Sequence, residues 1–172
     1  MVKESLKLGL ILLLICGIST GLLAYVNDLT APVIYENELA ANKAAMLQVM
    51  PSAEQFREVS QSLSKAFDKD GNLKGYTVKV SPSGYGGEIS MMIGVNTDYT
   101  VSGVQILSLS ETPGLGAKAQ DEAFLTQFTG KNDSMELKKD INAISGATIT
   151  STAVISGVKE AIGIAKAEGG NK

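Results

Sequence analysis

The densest chemistry in this chain is a run of hydroxyls. Ser145-Gly146-Ala147-Thr148 leads into Ile149-Thr150-Ser151-Thr152, which sets five Ser or Thr side chains at the start of a helical pattern. Such residues cap helices, because their oxygens accept from the free amides of the first turn. One cap needs one hydroxyl, so five exceed that duty. The same helix start also suits an anion, since its unpaired N–H groups and its dipole both favour negative charge. Gly146 and Ala147 leave the approach to Thr148 open, so a phosphorylated group resting at Thr148 fits these residues beside plain capping. Two glycine-rich segments have the same double reading. Gly84-Tyr85-Gly86-Gly87 suits a tight turn, or a place where backbone approaches a ligand. In Glu111-Thr112-Pro113-Gly114-Leu115-Gly116, Pro113 and Gly114 suit the centre of a type II turn. Gly116 allows close backbone approach, Glu111 and Thr112 add an acid and a hydroxyl, and Leu115 offers an apolar face.

What is missing limits the chemistry further. The 172 residues contain no His, no Trp and a single Cys. His–Cys zinc sites, c-type haem attachment and iron–sulfur clusters cannot be built from them, and neither can a triad that uses His. We expect no metal site and no catalytic side chain. The work falls to hydroxyls, carboxylates, amines or a borrowed organic cofactor. A net charge of −3 and a pI near 5.0 argue against nucleic acid as a partner. Two local patterns are set aside. Ser62-Leu63-Ser64-Lys65 has the nucleophile–base spacing of penicillin-binding enzymes but lacks their companion motifs. Asp68-Lys69-Asp70-Gly71-Asn72 misses the calcium-loop pattern, because its Gly comes too early, and it reads as a hairpin turn.

The elements that must position these residues follow from periodicity. Leu8 to Val26 is nineteen residues without a charge, eleven of them Leu, Ile or Val. As a helix it spans about 28 Å, close to a bilayer's apolar thickness. The run is long for a cleaved signal peptide and lacks a good small-x-small site, so an uncleaved anchor is the preferred reading. Lys3 and Lys7 precede it while Asp28 and Glu36 follow, which places residues 1–7 in the cytoplasm and the rest outside. Cys16 would lie within the membrane. Thr30 and Pro32 read as the start of a separate juxtamembrane helix within 27–51, stopped by Pro51. Strands are expected at Gly75–Val80, Glu88–Val95 and Thr100–Leu109. Helices are expected at Ala119–Phe128 and Thr148–Ala167, and residues 169–172 look frayed. The fold class is α+β: a transmembrane helix, then one extracytoplasmic domain over 52–168 whose mainly antiparallel sheet is flanked by helices.

At these residues the chain resembles the FMN-binding domain family, and within it the G subunits of Rnf-type ion-translocating ferredoxin:NAD oxidoreductases. The likeness runs from the anchor through Thr30-Ala31-Pro32 and Met50-Pro51 to Gly84-Tyr85-Gly86-Gly87. It continues through Glu111-Thr112-Pro113-Gly114-Leu115-Gly116 to Ser145-Gly146-Ala147-Thr148. The resemblance implies a covalent FMN, joined to Thr148 as a phosphoester by a flavin transferase that takes it from FAD. It implies that Ser145, Gly146 and Ala147 flank the attachment and that Tyr85, Glu111, Thr112, Gly114, Leu115 and Gly116 contribute to the flavin site. Leu115 would pack on the ring, Thr112 would bond its polar edge, and Glu111 would lower its potential. The family's attachment pattern has an Asp three residues before the Ser; Asn142 stands there in this chain, with Asp140 two residues earlier. The implied partners are the other membrane subunits of the complex, the transferase and membrane lipid. Alternatives are the C subunit of a sodium-pumping NADH:quinone oxidoreductase, a stand-alone extracellular electron-transfer flavoprotein, and an anchored binding or structural domain without a cofactor.

Overall fold

The computed structural model describes residues 2–170. Packing divides the chain into two units, Met1–Ala40 and Ala41–Lys172. Helix α1 (Val2–Val49) runs through the first and enters the second. From Lys3 to Ala40 every residue is exposed, and the apolar stretch is long enough to cross a membrane. One expectation fails here. Thr30 does not start a new helix; it lies inside α1 and its hydroxyl donates back to the carbonyls of Val26 at 3.0 Å and Asn27 at 3.3 Å. Pro32 also sits inside α1. A proline costs a helix one N–H donor, here toward Asp28, but the turns on either side continue.

The second unit is built on a five-stranded antiparallel meander in the order β1-β2-β3-β4-β5. The strands are β1 (Gln55–Ser60), β2 (Leu63–Phe67), β3 (Leu73–Val80), β4 (Ile89–Asn96) and β5 (Val101–Leu109). The last three fall where alternation placed them. β1 and most of β2 were not foreseen. β1 is an exposed edge strand of mostly polar residues, so it has no buried face to imprint an apolar pattern. The Asp68–Asn72 turn joins β2 to β3 as expected, with Asp68 accepting from the amides of Asp70 and Asn72. The Ser62–Lys65 pattern assembles no catalytic pair: Lys65 is bonded to Glu168 at 2.6 Å, and the Ser62 hydroxyl lies against that of Ser60.

Strand β4 is buried on both sides. Ile89, Met91, Ile93 and Val95 point into the main core with Val78, Val80, Val104 and Ile106. Helix α3 (Thr148–Gly169) covers that face through Val154, Ile155, Val158, Ala161, Ile162 and Ala165. Each buried Val or Ile among them contributes about 1.5–3 kcal/mol. The opposite face receives the end of α1: Ala45 and Val49 pack on Met92, and the paired Gly94 and Gly103 leave a slot for the Val49 backbone. The expected Ala119–Phe128 helix is broken. It is a 3₁₀ turn at Gly116–Gln120, a short α2 (Glu122–Leu125) and a second 3₁₀ turn at Thr126–Phe128. Phe124 and Phe128 still meet edge-to-face at 5.4 Å and fill the core beside β5. α3 runs two residues beyond its expected end, through Gly169, and Gly170 donates to the Lys166 carbonyl. The frayed tail was expected at 169–172; residues 171 and 172 lie outside the described residues.

Candidate functional site

Thr148 is the first residue of α3, and no side chain caps that helix start. The hydroxyls that could have capped it have other duties. Ser151, fully buried, donates to the Ala147 carbonyl at 2.9 Å and accepts the Ile144 amide at 3.0 Å, which holds the turn before the helix. Thr150, also buried, donates to Glu111 Oε2 at 3.0 Å. Thr152 donates back to the Thr148 carbonyl at 2.9 Å. Capping is therefore not what the hydroxyl run does. Of its five members, only Thr148 and Ser145 have hydroxyls that bond no other described group. The amides of the first turn meet no side-chain cap, so they remain donors for an anion placed there.

The loops around Thr148 are shaped by two glycines with positive φ. Gly114 has φ +76° in the turn closed by Leu115 N–H on the Thr112 carbonyl, as a type II turn requires. Gly146 has φ +77° in the turn closed by Ala147 N–H on the Ile144 carbonyl. That turn brings the two motifs together: a Cβ on Gly146 would stand 3.1 Å from a Leu115 methyl. The remaining motif, Gly84–Gly87, is the tip of the β3–β4 connection. Pro82 at its base packs against α3 where Gly157 leaves room.

A cleft of about 470 Å³ opens between these three segments. Tyr85, Leu115 and Ile149 form an apolar rim, exposed by 71%, 45% and 56% respectively, which is unusual for side chains of that size and leaves their faces open to a planar ligand. Thr112, Gly116, Gly146 and Ala147 complete the wall, and Glu111 and Thr150 line its inner part. Thr148 stands where this cleft meets a second groove, lined by Pro82, Ser83, Thr152 and Ser156. Eight of the ten expected site residues thus surround one space. Gly114 and Ser145 do not. Gly114 lies in the outer turn, and Ser145 faces a separate groove with Lys118, Gln127 and Asn142. Ile149 and Thr150 were missed as site residues; their places in the first turn beside Thr148 were the available signal. Asn142 is exposed, and its amide donates to Gln127. Asp140, two residues earlier, accepts the Glu136 amide on its carboxylate.

The cleft volume lies in the range of small-molecule sites. Apolar walls, a few polar groups, an open helix start and a free hydroxyl fit a group that is flat and apolar at one end and phosphorylated at the other. Among the described residues no cluster could hold a metal ion.

Comparison with known proteins gives the same class. Residues 84–163 match the FMN-binding domain, and residues 1–49 match the RnfG N-terminal region. The crystal structure of Shewanella oneidensis NqrC shares the fold, with a TM-score of 0.52 and 24% identity over 67% of this chain and 68% of that one. The G subunit of the Na(+)-translocating ferredoxin:NAD(+) oxidoreductase complex of Acetobacterium woodii is 36% identical, over 93% of this chain and 91% of its own length. The G subunit of the proton-translocating ferredoxin:NAD(+) oxidoreductase complex of Clostridium ljungdahlii is also 36% identical, over 86% and 84%. The chain belongs to the family of the G subunits of ion-translocating oxidoreductase complexes. With its apolar helix, it is a membrane-anchored protein.

Proposed function

We propose that this chain carries electrons on an FMN held covalently at Thr148, as one subunit of an Rnf-type membrane complex. The observation that carries the reading is the isolation of one hydroxyl. Thr150, Ser151 and Thr152 are each tied to protein acceptors, and Ser145 lies off the cleft. Thr148 is exposed, unbonded and at the cleft mouth, beside amides that no side chain caps. A flavin transferase would present FAD to it. The Thr148 oxygen would attack the phosphorus on the flavin side, forming one O–P bond as the pyrophosphate bond breaks, with AMP and a proton leaving.

When bound, FMN supplies the electron-carrying chemistry. The protein's part is to hold and orient it. The amides of Thr148, Ile149 and Thr150 would face the phosphoester's negative charge. Leu115, Tyr85 and Ile149 would shield the ring's faces, and Thr112 would offer a hydroxyl to its polar edge. The open rim suits exchange of electrons with neighbouring subunits. We assign the membrane span to residues 8–26, with residues 1–7 in the cytoplasm and the 52–168 domain outside, where lipid and partner subunits meet the 27–51 segment. No residue of Leu8–Val26 is ionisable at neutral pH, so the ion path runs through other subunits. Relatives named for Na⁺ and for protons have the same 36% identity to this chain over their matched lengths, in keeping with that division.

The test is intact mass. Full-length protein produced with a flavin transferase is expected to gain the mass of FMN less water, and the Thr148→Val variant none. Unmodified wild-type protein under those conditions would overturn the proposal.

A further inference from the structure

Glu111 lines the cleft, yet its surroundings are organised by the protein itself. The residue is buried, at 8% exposure, and none of the ion pairs among the described residues involves it. A buried carboxylate without a cation is costly unless donors meet its lone pairs. Three donors do. Oε1 accepts the amides of Tyr85 at 2.7 Å and Gly86 at 3.3 Å, and Oε2 accepts the Thr150 hydroxyl at 3.0 Å. Glycines make the room. A Cβ on Gly84 would collide with Oε1, and one on Gly116 would stand 2.5 Å from Oε2 and 2.9 Å from the Thr150 oxygen. The glycines of two motifs that read as space for a ligand therefore serve this carboxylate.

We infer that Glu111 is a positioning residue: its carboxylate clasps the Gly84–Gly87 tip, the Glu111–Gly116 loop and the first turn of α3 into one cleft before any flavin arrives. The inference rests on the reading that FMN is carried at Thr148, but it concerns the protein's own loops. Thr150 lies two residues from Thr148, so the clasp fixes the helix turn that presents the acceptor hydroxyl to Leu115 and Tyr85. The role is geometric. A glutamine keeps an oxygen for the two amides and an NH₂ for the Thr150 oxygen, whereas an alanine keeps nothing.

Hydrogen exchange in full-length protein tests this without flavin, in a Thr148→Val background. Glu111→Ala is expected to speed exchange of the Tyr85 and Gly86 amides by about tenfold or more, while amides in the centre of β4 stay unchanged. Glu111→Gln is expected to stay within about threefold of the parent, because both amide bonds survive. In flavin-loaded protein, the visible circular dichroism of the bound flavin should move toward that of free FMN in Glu111→Ala and hold in Glu111→Gln. Unchanged exchange in Glu111→Ala, or a glutamine as damaging as the alanine, would overturn the clasp. Should Glu111→Ala not fold, Thr150→Val removes only the arm to α3. It is expected to speed exchange of the Ser151 amide that closes the first helical turn while Tyr85 and Gly86 stay within about threefold, and an unchanged Ser151 amide is equally fatal. Wild-type protein that takes up no flavin defeats the proposed function and leaves the exchange comparison intact.

Discussion

The two ends of α3 are finished in opposite ways. At the C-terminal end, charge closes the helix. Lys65 bonds Glu168 at 2.6 Å, Lys166 bonds Asp133 at 2.6 Å, and Tyr76 and Tyr99 crowd Gly169. At the N-terminal end no side chain caps the first turn, no ion pair is made, and one hydroxyl is left idle. That end is held indirectly, by a carboxylate reaching from a neighbouring loop and by Pro82 seated against Gly157. The contrast teaches that this helix keeps its stability and its chemistry apart. The C-terminal end takes ion pairs with neighbouring side chains, and the end that faces the cleft leaves its first-turn amides without a side-chain cap.

Three changes would break or sharpen that contrast. The largest effect on stability should come from Gly157→Val. A Cβ there would stand 2.8 Å from Pro82 and 3.2 Å from the Met91 sulfur, so the hairpin tip must lift from α3. We expect a loss of about 1–3 kcal/mol by urea unfolding and a lower yield of flavin attachment. Equal stability would mean that Pro82 does not hold the site end.

Next comes Ala147→Ser, which supplies the missing cap. Serine at this position can accept from the first-turn amides, and should raise stability by about 0.5–1 kcal/mol. The same bond would occupy the amides that the proposed phosphoester needs, so attachment at Thr148 should slow, as intact mass over time would record. A gain in both would show that the open helix start is not reserved for a ligand.

The smallest effect belongs to the charged end. Lys166→Met breaks the pair with Asp133, whose partners are both roughly half exposed, and should change stability by no more than about 1 kcal/mol without altering flavin attachment. Its signature is in pH. The hydrogen bond from Lys166 holds the Asp133 carboxyl below its ordinary 3.8. The folded-state value is thus below the unfolded one, so the contribution is fully present above about pH 4 and fades as pH falls through the lower folded value. Acid titration of stability should lose that small slope in Lys166→Met and keep it in Thr148→Val.

Much of this architecture was legible because its cause is local. β3, β4 and β5 alternate between two buried faces, and α3 repeats apolar residues every three or four positions. The Pro113-Gly114 turn formed as its residue types demand, with φ +76° at Gly114. β1 was hidden because an exposed edge strand has no face to mark. The Ala119–Phe128 stretch placed its phenylalanines in the core as a helix would, yet 3₁₀ turns deliver them. Thr30 with Pro32 carried a start pattern inside a helix whose neighbouring turns propagate through it.

The order of motifs and the apolar anchor carried the resemblance that implied the flavin and the candidate acceptor, while the absence of His excluded His-based sites from residue type alone. Which of the five hydroxyls stands free on the cleft, and whom Glu111 serves, was decided only in three dimensions. The reason is physical. Glu111 and Thr150 are committed by donors 25 to 39 residues away in the chain meeting one buried carboxylate, and no local pattern records such a meeting.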